Sequence, residues 1–235
     1  MSVSIEKQEH IWTVIIDRPG KKNAVDRQTA DLLYRAFTDF DRDDTALAAV
    51  LWGRGGTFCA GADLGTVAQG SGEHANRLDP DMSQPGPMGP SRLEVNKPVI
   101  AAVSGYAVAG GLELACWCDI RVVEESAVFG VYCRRFGVPL IDGGTQRLPR
   151  IIGLGRALDL ILTGRSVPAR EALEMGLANY VVPEGSARRE AERLAEKIAA
   201  FPQFCLKSDR QAVYQGLGQR LDLGMKQEFA LGLQV

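Results

Sequence analysis

The sequence predicts an α/β protein that ends in a helical region, and three observations carry that expectation. Residues 46–52 and Val99–Val103 are unbroken apolar runs, and strands without polar alternation are those covered on both faces, as in a parallel sheet between helices. Ala30, Leu33, Phe37 and Phe40 recur at spacings of three and four, the apolar stripe of an amphipathic helix. In the second half of the chain the pattern turns helical.

In chain order, residues 11–17 are apolar and β-branched and run into Arg18-Pro19-Gly20, which predicts a strand entering a loop. Asp26 is placed to cap the helix that carries the Ala30 stripe. The two apolar runs follow as strands, separated by residues 69–90, which hold four glycines and four prolines. A loop of that length is uncommon unless it is functional, so it is a lid candidate. A short strand is expected over residues 119–123. The helical half begins at residues 158–162; Ser166 is then expected to cap a helix that Gly176 stops. Tyr180–Val182 reads as a strand, and Ala187, Ala191, Leu194 and Ile198 mark another amphipathic helix. No solenoid repeat and no linker divides the chain, so residues 1–185 are expected to form the core and residues 186–235 a C-terminal helical region.

Composition excludes several classes. Of 235 residues, 46% are hydrophobic and 24% charged, ordinary globular usage that rules out disorder and collagen, and about 70–75% of the unfolded surface can be buried at this size. A formal net charge of −2 shows no basic excess for nucleic acid. Residues 97–113, the least charged stretch, are too short and too glycine-rich to cross a bilayer. No apolar h-region is seen at the N-terminus, and five cysteines without a C-x-x-C pair read as reduced thiols, which places the protein in the cytoplasm. Only His10 and His74 are present, so no metal site is expected and histidine-based triads are restricted.

Two glycine-rich strand exits hold the candidate chemistry: Gly53-Arg54-Gly55-Gly56-Thr57-Phe58-Cys59-Ala60-Gly61-Ala62-Asp63-Leu64 and Ser104-Gly105-Tyr106-Ala107-Val108-Ala109-Gly110-Gly111-Leu112-Glu113-Leu114-Ala115. Small residues where a buried strand becomes a helix let backbone N–H groups approach a ligand, and the helix dipole favours an anion there. Each exit is a possible half of an oxyanion hole; alternatively the glycines serve close packing alone. Neither exit has the spacing of a P-loop or of a dinucleotide-binding turn. Glu113 is the only charge between Lys97 and Asp119. Burial would raise its pKa and suit it to proton transfer, unless its helix face reaches solvent.

These residues also carry a resemblance. Ala60-Gly61-Ala62-Asp63-Leu64, Lys97-Pro98-Val99-Ile100-Ala101-Ala102-Val103-Ser104-Gly105-Tyr106-Ala107, Gly110-Gly111-Leu112-Glu113-Leu114-Ala115 and Gly143-Gly144-Thr145-Gln146-Arg147-Leu148-Pro149 resemble, in order, the motifs of the enoyl-CoA hydratase/isomerase (crotonase) family. Arg18-Pro19 through Lys22-Asn23-Ala24-Val25 resembles the family's first CoA-contacting loop. The resemblance implies a crotonase-like spiral of β-β-α turns, an acyl-CoA thioester substrate in fatty-acid or related acyl-CoA metabolism, and a homotrimer or dimer of trimers. Coenzyme A would belong to the substrate, and no cofactor is implied. The N–H groups of Ala62 and Gly110 would hold the thioester oxygen as it becomes an enolate. Lys22, Asn23, Ala24, Ala60, Gly61, Asp63, Leu64 and Gly111 would contact CoA or substrate, although Asp63 by itself reads more readily as a cap or structural partner.

Glu113 matches one of the two glutamates that hydratases of the family use as acid and base. Cys133, followed by Arg134 and Arg135, stands where the second would be. Its thiol is either an inert side chain or, with a lowered pKa, a nucleophile. Asp142 falls where some family members with other activities carry an acidic residue; it is either the partner of Glu113 or the N-cap of the segment 143–150. With one glutamate missing, weak hydration relative to isomerisation or another single-carboxylate reaction is expected, and a hydrolase or decarboxylase remains an alternative. The C-terminal region is expected to be shorter than usual for the family. Two readings from other classes are a serine peptidase on a related spiral, with Ser104 as nucleophile but no placed base, and a non-catalytic acyl-CoA or RNA-binding relative, disfavoured by Glu113 and the acidic balance.

Overall fold

The computed structural model describes residues 1–67, 72 and 74–235. In chain order the elements are β1 (Val3–Gln8), β2 (Ile11–Ile16), α1 (Arg27–Arg42), β3 (Ala48–Gly53), α2 (Leu64–Val67), β4 (Val99–Val103), β5 (Tyr106–Val108), α3 (Gly110–Trp117), β6 (Ile120–Glu124), β7 (Val128–Gly130), α4 (Gly144–Ile152), α5 (Leu154–Thr163), β8 (Ser166–Pro168), α6 (Ala169–Glu174), β9 (Tyr180–Val182), α7 (Ala187–Ala199), α8 (Gln203–Gly216) and α9 (Leu221–Gly232). The expected α/β class and helical C-terminal region are both present. A six-stranded sheet runs β1-β2-β3-β4-β6-β9, parallel except for the β1–β2 hairpin. A second sheet, β5-β7-β8, stands beside it. The repeated return from one sheet to the other, with a helix between, is the crotonase-like spiral.

The alternation of strand side chains explains why the apolar runs are unbroken. Val99, Ala101 and Val103 of β4 face the main core, with Leu33, Phe37 and Phe40 of α1 and Trp117 of α3. Ile100 and Ala102 face the other way, against Ala187, Ala191 and Ala195 of α7. Both faces of the sheet are therefore covered, and a polar residue on either would be buried without water. The helix α1 starts as expected, with Asp26 Oδ1 accepting from the Thr29 N–H at 2.9 Å, and its stripe is fully buried. The Phe37 and Trp117 rings meet edge-on at 4.8 Å between centroids, a favourable aromatic geometry.

Two local expectations are corrected. Ser166 caps no helix: it lies in β8 opposite Gly130 of β7, and its hydroxyl meets the Tyr132 hydroxyl at 2.6 Å. The short helix α6 begins only after Pro168 and has no side-chain cap. The strand β1, absent from the sequence reading, is an edge strand in which only Val3 is buried, so its charges Glu6 and Lys7 face water. Among the described residues, no helix is long and apolar enough to cross a membrane. The pair α8 and α9 buries no side chain; α8 is tied to the body through Asp119, whose Oδ1 accepts from Arg210 Nε at 3.0 Å and from the Tyr214 hydroxyl at 2.6 Å.

Candidate active site

The two glycine-rich strand exits converge. The Cys59 N–H donates to the Tyr106 carbonyl at 2.9 Å and the Val108 N–H to the Cys59 carbonyl at 3.1 Å, so the segments run side by side. A Cβ on Gly61, whose φ is +95°, would lie 2.9 Å from Gly110 N and from Ala109 Cβ; only glycine lets the segments approach this closely. Ala62 pairs with Val25 through its neighbours' groups, the Gly61 carbonyl and the Asp63 N–H. Its own N–H and that of Gly110, the first residue of α3, donate to no other group among the described residues. Ala109 sets up this exit with φ 52° and ψ −125°, a conformation that costs a non-glycine residue about 1–3 kcal/mol, and its N–H is held by the Gly130 carbonyl at 2.9 Å.

Ala62 and Gly110 line a cavity of about 700 Å³ that Glu113 and Asp142 also line. Glu113 is buried on α3, and its Oε1 accepts from the backbone N–H groups of Asp142 at 2.9 Å and Gly144 at 2.8 Å, at the N-terminus of α4. Its Oε2 has no partner among the described residues. Burial, and after it the charge of Asp142, push the Glu113 pKa up to about 7 against the opposing pull of the two N–H donors. Asp142 is buried as well. Its Oδ1 accepts from the Met88 N–H at 2.9 Å and from the Ser91 hydroxyl, and its Oδ2 is without a partner among the described residues. Burial raises its pKa too, opposed by those two donors and by the charges of Arg92 and Arg147. Of the two readings open for Asp142, the helix cap is not observed: the N-cap of α4 is Gly143, with no side-chain bond.

Cys133 lines the cavity beside Glu113. Its thiol pKa is raised, by burial first and then by the Glu113 charge, the opposite of what an activated nucleophile needs. The neighbouring arginines turn to carbonyls: Arg134 Nε donates to Ile161 O at 3.3 Å, and Arg135 Nη2 to Gly164 O at 2.8 Å while its guanidinium stacks on Tyr132. Ser104 is buried, donates to Glu124 Oε1 at 2.9 Å, has no histidine among its hydrogen-bond partners and does not line the cavity, which does not favour a serine nucleophile.

The sequence-predicted substrate contacts divide. Lys22, Ala60 and Leu64 line the cavity, with Lys22 Nζ 5.7 Å from the Tyr106 ring centre. Asn23, Ala24, Gly61, Asp63 and Gly111 stand behind its wall. Asn23 is fully buried, accepts from Arg18 N at 2.8 Å and donates to Arg54 O at 2.9 Å. The Ala24 carbonyl takes Arg18 Nη1. Asp63 pairs with Arg18 at 3.2 Å and accepts from the Gly65 N–H at 3.1 Å, the structural role its sequence position favoured. Gly111 lies against the Cys59 carbonyl.

The sequence reading missed Met88 and Tyr132, both in the cavity wall, and Ser91. Of the lid candidate 69–90, residues 69–71 and 73 lie outside the described residues. Asn76, Leu78, Pro87 and Met88 from the same segment form one wall, with Asn76 Nδ2 donating to Val25 O at 3.2 Å and Pro87 O at 2.7 Å. Among the described residues, no group of three or more His, Cys, Asp or Glu side chains is placed to hold a metal ion.

The chain is similar to known proteins in both sequence and fold. The family model described as enoyl-CoA hydratase/isomerase matches residues 6–231. The chain is 38% identical over 203 residues to enoyl-CoA hydratase EchA19 of Mycobacterium tuberculosis, covering 83% of this chain and 74% of that protein. It is 34% identical over 229 residues to the short-chain-enoyl-CoA hydratase of Clostridium acetobutylicum, covering 95% and 85%. The 2,3-dehydroadipyl-CoA hydratase of Escherichia coli is 32% identical over 225 residues, covering 95% and 86%. Among solved structures, an enoyl-CoA hydratase from M. tuberculosis superposes with a TM-score of 0.91 at 34% identity, covering 98% of this chain and 88% of that one.

Proposed function

Because the chain belongs to the enoyl-CoA hydratase/isomerase family, an enzyme family of acyl-CoA metabolism, we propose that it hydrates 2-enoyl-CoA thioesters with Glu113 and Asp142 as its acid and base. The observation that carries the reading is that residues Glu113 and Asp142, each carboxylate anchored through one oxygen and without a partner at the other among the described residues, line the same cavity as Ala62 and Gly110, whose N–H groups donate to no other described group. The thioester oxygen accepts from those two N–H groups, and the N-terminus of α3 adds its positive end. One such donor is typically worth about 3 to 4 kcal/mol in the transition state.

Asp142, whose two donors and two nearby guanidinium groups offset part of the burial that raises its pKa, takes a proton from water as the oxygen bonds to the β-carbon. The electron pair of the double bond moves onto the thioester, and the enolate that results is held by the N–H pair. Glu113, near neutrality in its protonated form for a large share of molecules, gives its proton to the α-carbon. The proton on Asp142 then returns to Glu113 through solvent, which restores the starting state. In this reading Asp142 supplies the second carboxylate that Cys133 does not, and the assays below decide between hydration by the pair and the weak hydration expected with one glutamate.

Coenzyme A is bound as part of the substrate, with Lys22 at the mouth, and no other cofactor takes part. The apolar side chains left exposed on α8 and α9, among them Phe204, Leu221, Met225 and Phe229, support assembly as a homotrimer or a dimer of trimers. The buried free thiols Cys59, Cys116, Cys118 and Cys133 support a cytoplasmic setting. The test is crotonyl-CoA hydration, followed as loss of enoyl absorbance, beside a 3-enoyl-CoA isomerisation assay. Brisk isomerisation without hydration would replace this reading with that of a single-carboxylate isomerase.

A further inference from the structure

Ser91 lies outside every motif of the sequence, yet it is buried and its hydroxyl donates to Asp142 Oδ1 across 51 positions of chain. It sits in the 3-10 turn Pro90–Arg92. Three further features hold it against the carboxylate. The Met88 N–H donates to the same oxygen at 2.9 Å. Arg147 spans the two backbones, with Nη1 on the Asp142 carbonyl at 2.9 Å and Nη2 on the Ser91 carbonyl at 2.8 Å. At Gly86 a Cβ would lie 2.0 Å from Ser91 Oγ and 3.1 Å from Asp142 Oδ1, so this position has to be glycine for the hydroxyl and the carboxylate to meet.

We propose that Ser91 is a positioning residue for the acid–base reaction: its hydroxyl fixes Asp142 by Oδ1, which leaves Oδ2 to the cavity and favours the ionised carboxylate that accepts the water proton. The inference rests on the acid–base role proposed for Asp142. A tie that served the fold alone could have been made by any of the neighbouring contacts, because the Met88 N–H and the Arg147 bridge already connect this turn to Asp142. The hydroxyl adds a donor to a buried carboxylate, and a donor to the charged form lowers that group's pKa against the effect of burial. The charged groups that face Asp142 are Glu113 on α3, Arg92 in the same turn and Arg147 on α4, and none of them is altered by a change at Ser91.

The test is Ser91→Ala in the full-length protein, read by the pH profile of crotonyl-CoA hydration. The acidic limb of kcat/KM should move up by about one pH unit, with kcat at pH 7 down five- to twentyfold and KM within threefold. Ser91→Thr, which keeps the hydroxyl, should return the limb toward its original position. Ser91→Cys, a poor donor of similar bulk, should shift it in the same direction as alanine, and decides the matter if the alanine variant does not fold. An unmoved limb in the alanine or cysteine variant overturns the inference. Asp142→Asn separates the two levels: if it is inactive while Ser91→Ala keeps the wild-type profile, only the role of Ser91 falls. If Asp142→Asn keeps wild-type turnover, the acid–base role of Asp142 falls, and that of Ser91 with it.

Discussion

Replacing Glu113 by Gln should make the protein more stable and nearly inactive, with the gain in stability dependent on pH in a defined way. In the folded protein the Glu113 pKa stands at about 7 instead of the ordinary 4.5, because burial disfavours its charge. A carboxyl whose pKa is raised by folding lends stability that is fully present below the unfolded value and is lost as pH climbs through the folded one. At about 1.36 kcal/mol per pH unit, the penalty for the ionised group above pH 7 is on the order of 3 kcal/mol. Glutamine keeps an acceptor for the Asp142 and Gly144 N–H groups and never ionises. Denaturation at fixed protein concentration should therefore show the variant's advantage growing by about 2.5 kcal/mol between pH 5 and pH 8 and flat beyond. Turnover should fall by roughly 10² to 10⁴ with KM within a few-fold, since the proton donor is gone. Parallel pH–stability curves for the two proteins would refute the raised pKa, and retained turnover would refute the donor.

Three other outcomes are expected. For the native enzyme, hydration should follow a bell in pH, falling above about 7 as Glu113 loses its proton and falling in acid as Asp142 gains one; a rate still rising above pH 8 contradicts the assignment. Gly144→Ala places a Cβ 2.9 Å from both Cγ and Oε1 of Glu113, so the carboxylate has to retreat from its two N–H donors: kcat should drop about 10- to 100-fold, and thermal stability should fall with it, as overpacking a buried site does. Gly110→Pro deletes an N–H that Ala62→Gly leaves in place at its own position; circular dichroism showing a folded Gly110→Pro protein with normal kcat would remove Gly110 from the oxyanion site.

How much of this was legible in the sequence follows from the range of the interactions. The strands β3 and β4 were readable because both their faces are buried, and α1 because its stripe repeats within a few residues. The edge strand β1 was not, because its exposed side carries charges that look like loop. Glu113 stood out as a lone charge in an apolar stretch, and burial is why it matters. The alternatives at Asp142 could not be decided locally, since its partners Met88 and Ser91 lie 54 and 51 residues away. Ser166, next to a proline and ahead of a helix, has the local signature of a cap, but pairing with β7 outweighs it. At Asn23 and Asp63 the motif was visible while its use was not: both side chains hold the loop from behind, and its face toward the cavity is made by Lys22, Ala60 and Ala62.

The contacts around Glu113 close on themselves. Its carboxylate is held by the Asp142 N–H, the Asp142 carboxylate holds the Met88 N–H, the Met88 side chain lies where a Cβ on Gly110 would be, 2.7 Å from the sulfur, and Gly110 opens the helix that carries Glu113. The groups proposed to move the proton and one proposed to hold the enolate thus form a ring in which each member's position is set by the one before. A change at any member shifts the others, so two substitutions within the ring should cost less together than the sum of each alone, as coupled neighbours do. On the proposed mechanism the catalytic power of the site belongs to the ring as a unit, and single variants measure how far each one opens it.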